Sequence, residues 1–215
     1  MIPRVLHVSQ PVDAGVAVVL AELAEYQHAS GWDVHVACPD AGWLAGRLRE
    51  TGIAVHPWQA TRGPGAGSLA EARRLREVVR RVRPDVVHLH SSKAGLAGRL
   101  ALRGQVPTVF QPHAWSFHAA GRTMSVVSAL WERVAVRWTH LVVAVSGGEL
   151  HEGYRRGITP PRSVIVPNGV DGTGSCRRTG PTPVAGWGCR TPRWRCASAG
   201  SPPRRARTRC CGPGR

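Results

Sequence analysis

The sequence predicts an α/β domain built on a doubly wound parallel sheet, and three observations predict it. Over residues 1–171, apolar runs of strand length alternate with longer runs whose apolar residues recur at helical spacing. The strand-length runs, such as RVLHVS, DVHVAC and LVVAVS, are nearly continuous in apolar residues, which suits strands buried on both faces. Breaker residues stand at the junctions, as at Pro11, Gly31, Gly52 and Pro84.

Taken in order, residues 4–9 read as a buried strand and residues 10–15 as a turn. A helix over 16–28 follows, with Val19, Leu20, Leu23 and Ala24 at helical spacing, ended by Ser30 and Gly31. Residues 33–38 form the second strand, 44–51 a helix closed by Gly52, and 53–58 the third strand. The helix over 69–82 sets Leu75, Val78, Val79 and Val82 on one face and Arg73, Arg74, Arg76, Arg80 and Arg81 elsewhere, and Pro84 stops it. Strand 85–90, a small-residue helix over 94–102 and strand 106–111 come next. Helix 125–138, strand 141–146, helix 149–156 and strand 163–167 complete the series. Seven strands joined by right-handed crossovers make a Rossmann-like sheet covered on both faces, with ligands expected at the carboxyl ends of the strands.

Charge and cysteine divide the chain after residue 171. The net charge is +16, and residues 172–215 hold ten arginines and no acidic residue. Five of the six cysteines, Cys176, Cys189, Cys196, Cys210 and Cys211, lie in that stretch. Its only aliphatic β-branched residue is Val184, so it cannot bury enough apolar surface to offset the entropy of ordering, and a disordered tail is expected. Arg, Pro, Gly, Ala, Cys and Trp are also what GC-rich codons yield when misread. A shifted frame of such codons over 191–214 permits an ordinary strand, turn and helix, so the tail reads as out-of-frame translation. The lone Cys38 before it, the lack of a charged-then-apolar start and the lack of a membrane-length apolar run predict a cytoplasmic domain. The basic helix suits peripheral contact with anionic lipid at the inner face of the membrane.

Segments at the strand ends carry the candidate chemistry. Gly15, between the first strand and first helix, lets a backbone approach a phosphate at a helix N-terminus. There is no G-x-G-x-x-G and no P-loop, which weighs against dehydrogenase and ATPase readings. In QPHAWSFH, His113 falls at the end of the fifth strand, where an imidazole can take or orient a hydroxyl proton, and Trp115 can stack on a sugar ring. Ser91, Ser92 and Lys93 can meet an anionic acceptor, although spacing alone reads them as a solvated loop. His88 and His90 alternate along one strand, but no third ligand lies near in sequence, so no metal is expected. Ser146 and Asn168 also stand at strand ends, and Asn168-Gly169 makes a sharp turn out of the sheet.

The strings RVLHVSQPVDAGVAVVLAELA, GWDVHVACP, RPDVVHLHSSKAGLAGRLA, VPTVFQPHAWSF, LVVAVSGGE and VIVPNGVD, in this order over residues 1–171, resemble the family-4 glycosyltransferases of the GT-B fold. The resemblance implies the acceptor-side N-terminal half of a two-domain enzyme. Such an enzyme transfers a sugar from a nucleotide-sugar donor to a lipid-linked or saccharide hydroxyl, with retention and without a metal cofactor. It implies that Gly15 belongs to the donor-phosphate loop and that His113 is the active-site histidine. It further implies that Ser146 opens the last helix at the cleft and that Asn168, Gly169 and Asp171 form the interdomain linker. The family's paired glycine is Ala14-Gly15 here, and its donor-side residues have no counterpart in the chain, so a truncated, inactive fragment is expected. Two rivals stay open: a non-catalytic module binding an acceptor, or nucleic acid through the basic tail, and another GT-B enzyme such as a nucleotide-sugar epimerase. The core lacks any nucleic-acid motif.

Overall fold

A computed structural model of the chain describes residues 2–61, 65, 67–118 and 122–169. The predicted tail, residues 172–215, and the linker candidate Asp171 lie outside the described residues. Seven strands alternate with six helices among those residues: β1 Arg4–Ser9, α1 Ala14–Ala29, β2 Asp33–Cys38, α2 Trp43–Glu50, β3 Ala54–Pro57, α3 Ser68–Val82, β4 Val86–His90, α4 Ser91–Leu102, β5 Thr108–Gln111, α5 Arg122–Ala135, β6 Leu141–Ala144, α6 Gly147–Arg155 and β7 Ser163–Ile165. All pairings are parallel and the strand order is β3-β2-β1-β4-β5-β6-β7, which is the predicted doubly wound sheet.

Alternation along β1 divides the core. Leu6 and Val8 join the layer under α3 and α4, with Leu75, Val79, Ala94, Ala97 and Phe110. Val5 joins the opposite layer under α1 and α2, with Leu20, Ala24, Leu44 and Leu48. Small residues on α4 let it lie close to the sheet: a Cβ on Gly95 would stand 2.4 Å from the Phe110 ring, and one on Gly98 2.4 Å from Leu89 Cδ2. At the other end of the sheet, β7 leaves Val164 and Ile165 exposed, so the expectation of cover on both faces fails there among the described residues.

The helices start earlier than the sequence reading placed them, α1 at Ala14, α4 at Ser91, α5 at Arg122 and α6 at Gly147, and two of these starts bear on the candidate residues. α4 begins at Ser91, directly after β4, so Ser91, Ser92 and Lys93 form a first helical turn and not a loop. His90 stands at its N-cap without a side-chain cap bond, which is why no capping signal announced it. α6 begins at Gly147 because Ser146 caps it, its Oγ accepting from the Glu149 N–H at 3.1 Å. The helix expected over 125–138 ends at Ala135 and continues as a 3-10 turn, Val136–Trp138.

Candidate active-site cleft

The strand order reverses between β1 and β4. Their carboxyl ends diverge there into α1 and α4, which opens a crevice of the kind in which doubly wound sheets bind ligands. A cleft of about 290 Å³ occupies it, and Gln10, Asp13, Gly15, Ser91, Lys93 and His113 are among its lining residues.

Backbone strain gathers in this cleft. Six non-glycine residues among those described have positive φ, and Arg83 and Arg103 are simply the left-handed C-caps of α3 and α4. The other four, Ala14 (65°), Ser91 (75°), His113 (51°) and Ala114 (84°), all line the cleft. Each costs of order 1 kcal/mol or more, and such residues cluster where the surrounding structure serves a ligand. The left-handed residue of the first loop is therefore Ala14 and not Gly15. A Cβ on Gly15 would meet nothing within 4 Å, so Gly15 leaves open space beside the N-terminus of α1. Replacing Ala14 by glycine removes the strain, and we expect A14G to raise stability by roughly 1 kcal/mol in urea unfolding.

Lys93, the single lysine of the chain, reaches the cleft wall but is buried. Its Nζ lies 2.6 Å from Glu71 Oε2 and donates to Ser68 Oγ at 3.1 Å. Burial alone would raise the Glu71 pKa; the Lys93 ammonium and the Thr61 N–H and hydroxyl outweigh it and hold the carboxylate low. The ammonium is thus matched by a carboxylate and is not the open cation that an anionic acceptor would seek. The expectation for Trp115 is also corrected. Its side chain is buried, its Nε1–H donates to the Glu149 carbonyl at 2.8 Å, and its ring stacks on Phe117 with centroids 5.9 Å apart. Gly153 presses against the indole as well, since a Cβ there would stand 2.7 Å from Cζ2. Trp115 is a core aromatic and has no face to offer a sugar.

Glu149 is a residue that sequence reasoning missed. Its carboxylate accepts from the Val145 N–H and from the Ala114 N–H, each at 2.7 Å, and so ties the strained turn after β5 to the start of α6. The Ser146-x-x-Glu149 spacing of a capping box was the available signal. Ser146 itself serves as the cap and is not among the residues lining the cleft. Asn168 and Gly169 are exposed beyond β7 and are likewise not among them.

His113 stands at the end of a hydrogen-bonded row. Gln27 Oε1 on α1 lies 2.7 Å from His7 Nε2, His7 Nδ1 lies 3.1 Å from His90 Nε2, and His90 Nδ1 lies 3.2 Å from His113 Nε2. Burial pushes His7 and His113 down to about 4 and holds His88 and His90 well below the usual histidine value. All four rings are therefore neutral at pH 7. A neutral His113 can accept a hydrogen bond from a hydroxyl and does not act as a phosphate cation. One ring nitrogen from each of His7, His88 and His90 falls within 4.8 Å of the other two, spacing that three metal ligands would also have. His7 is the third member that the sequence did not reveal: only the β1–β4 register, His7 opposite His88, brings it there. Both of its nitrogens are already engaged, by Gln27 and His90.

A second cavity, about 270 Å³, shares Ser92 and Lys93 with the cleft. Leu96, Met124, Val127 and Trp131 give it a mainly apolar wall. On α5, Val126, Val127 and Leu130 are about half exposed. No helix among the described residues is long and apolar enough to cross a membrane.

Residues 14–173 match the family model described as Glycosyltransferase Family 4. An alpha-maltose-1-phosphate synthase from Mycolicibacterium smegmatis is 33% identical over 150 residues, covering 66% of this chain and 37% of the relative. A UDP-Gal:alpha-D-GlcNAc-diphosphoundecaprenol alpha-1,3-galactosyltransferase from Escherichia coli is 25% identical over 177 residues, covering 78% of this chain and 45% of the relative. The chain thus spans less than half the length of each. Among solved structures, the Anabaena protein Alr3699/HepE in complex with UDP and glucose superposes with a TM-score of 0.60 at 19% identity, over 79% of this chain and 45% of that one. A UDP-N-acetylglucosamine 2-epimerase does so at 0.57 and 17%, over 78% and 49%. At such identities these likenesses establish the shared Rossmann-like, GT-B half and do not separate transferase from epimerase.

Proposed function

Since the chain belongs to glycosyltransferase family 4, we propose that residues 1–170 form the acceptor-side half of an enzyme that moves a sugar, with retention, from a nucleotide-sugar donor to a hydroxyl acceptor. The observation that carries the reading is the gathering of open Gly15 and four strained non-glycine residues, His113 among them, in one cleft at the β1/β4 reversal. The α1 N-terminus suits a donor phosphate, and neutral His113 suits a hydroxyl of the reacting sugar or acceptor.

The apolar cavity adjoining the cleft favours an acceptor with an apolar portion, such as a lipid-linked saccharide, over a bare sugar. The exposed apolar residues of α5 and the arginine-rich outer face of α3 support peripheral contact with the cytoplasmic face of a membrane. The cleft lining among the described residues offers one ammonium, already paired with Glu71, so the cations that hold a donor diphosphate come from a donor-side half. The 215-residue polypeptide by itself then transfers no sugar, and no metal cofactor enters the reading.

The test is a chain that joins residues 1–170 to the donor-side half of a family-4 relative, with that relative cut and rejoined at the same junction as control. Sugar transfer with retention, absent from the 215-residue polypeptide, supports the reading. An inactive hybrid beside an active control contradicts it.

A further inference from the structure

We propose that Gln27, through His7 and His90, fixes which nitrogen of His113 carries its proton, so that His113 keeps Nδ1 as a hydrogen-bond acceptor for a substrate hydroxyl. The inference rests on the reading of His113 as a group that touches substrate, and it makes Gln27, His7 and His90 positioning residues: each link is a direct side-chain contact across α1, β1, β4 and the turn after β5.

The logic follows from one terminal acceptor. An amide oxygen only accepts, so the 2.7 Å contact requires the proton on His7 Nε2. A neutral imidazole has one N–H, so His7 Nδ1 is bare and must receive the proton of His90 Nε2. His90 Nδ1 is then bare in turn and receives the proton of His113 Nε2. His113 is left with Nδ1 as its only acceptor. A donor in place of the Gln27 oxygen would reverse every link and leave the proton on His113 Nδ1. The row is shielded from solvent exchange of roles, because His7 and His90 are fully buried while Gln27 and His113 at its two ends are only partly so. His88 stands beside the row, its ring centroid 4.0 Å from that of His90, and is not a link in it.

The experiment is nitrogen-15 NMR of histidine-labelled 215-residue protein at pH 7, which reads the protonated nitrogen of each ring directly. The row predicts Nε2–H for His7, His90 and His113 in the wild type. In Q27K, whose ammonium can only donate, it predicts Nδ1–H for all three. Position 27 is partly exposed, so the variant retains the core, and the wild-type measurement needs no variant at all. A wild-type His113 protonated on Nδ1, or a His113 unchanged in Q27K, overturns the proposal. Metal-type shifts at His7, His88 and His90 on adding equimolar zinc would overturn it too, by making those nitrogens ligands. Failure of the site reading is seen separately: H113A in the joined two-half chain would then leave transfer unchanged, whatever the tautomers prove to be.

Discussion

Acidification from pH 7 to pH 4 is expected to unfold this domain, with the transition beginning above pH 5. His7 is fully buried and its folded pKa is pushed down from 6.5 to about 4. Below pH 6.5 the unfolded chain takes up a proton that the folded chain refuses, so stability falls as pH falls. The loss stops near pH 4, where the folded ring also titrates. Over that window His7 alone withdraws about 3 kcal/mol. His88 and His90 are held well below 6.5 in the same direction, first by burial and then by neighbouring histidines, His7 and His113 for both and His88 for His90 as well, and His113 is brought to about 4 by burial. Total stabilities of domains are about 5–15 kcal/mol, so these rings together are enough to decide the outcome. The carboxylates held low, Asp33 by Arg4 and Glu71 against its own burial by Lys93, lose their contribution only below their unfolded values of 3.8 and 4.5. An onset above pH 5 therefore identifies the histidines. Circular dichroism at 222 nm against pH measures it, and H88L, which removes one titrating ring, should move the midpoint to lower pH. A domain that stays folded to pH 4 would contradict the neutral, buried row.

Breaking the ion pair between Arg99 and Glu132 should cost about 3–5 kcal/mol, or roughly 10 °C in Tm. Both side chains are 1% exposed, and the guanidinium donates from Nη1 and Nη2 to the two carboxylate oxygens at 2.7 and 3.0 Å. Arg99 Nε donates to the Gly95 carbonyl at 2.8 Å, and the guanidinium lies 4.0 Å from the Phe110 ring centroid. Every polar atom of the pair is thus engaged away from water, and removal of one partner strands the other as an uncompensated charge. We expect R99M and E132M each to be strongly destabilised and the double variant R99M/E132M to recover most of the loss. Urea unfolding of the four proteins gives the cycle. The pair also joins α4 to α5, and Glu132 lines the apolar cavity next to the cleft. Its loss should loosen the wall proposed to hold the acceptor.

Much of this molecule was legible because periodicity and strand identity were strong where the core is. β1 and β2 fall on the residues read from RVLHVS and DVHVAC, since those runs are apolar and β-branched and bounded by breakers. The α4 start was illegible because no capping side chain marks it; the chain enters the helix through a strained serine instead. His113 and Gly15 could be placed by their positions after β5 and β1. The Gln27–His7–His90 row could not, because its members are 20 and 83 residues apart and meet only through strand pairing and the packing of α1 on β1. Trp115 misled for the reverse reason. An aromatic beside the candidate histidine suits a sugar ring and a core equally well, and its neighbours Phe117 and Gly153 decide for the core. Lys93 looked like an open cation until Glu71, a turn into α3, was brought against it.

The cleft at the β1/β4 reversal, with His113 working in it, is the centre of the account, and kinetics of H113A in the joined two-half chain test it most directly. The account predicts that kcat falls about 10²-fold while circular dichroism and Tm stay near those of the parent hybrid. A variant that folds equally well and turns over at the parent rate would contradict it.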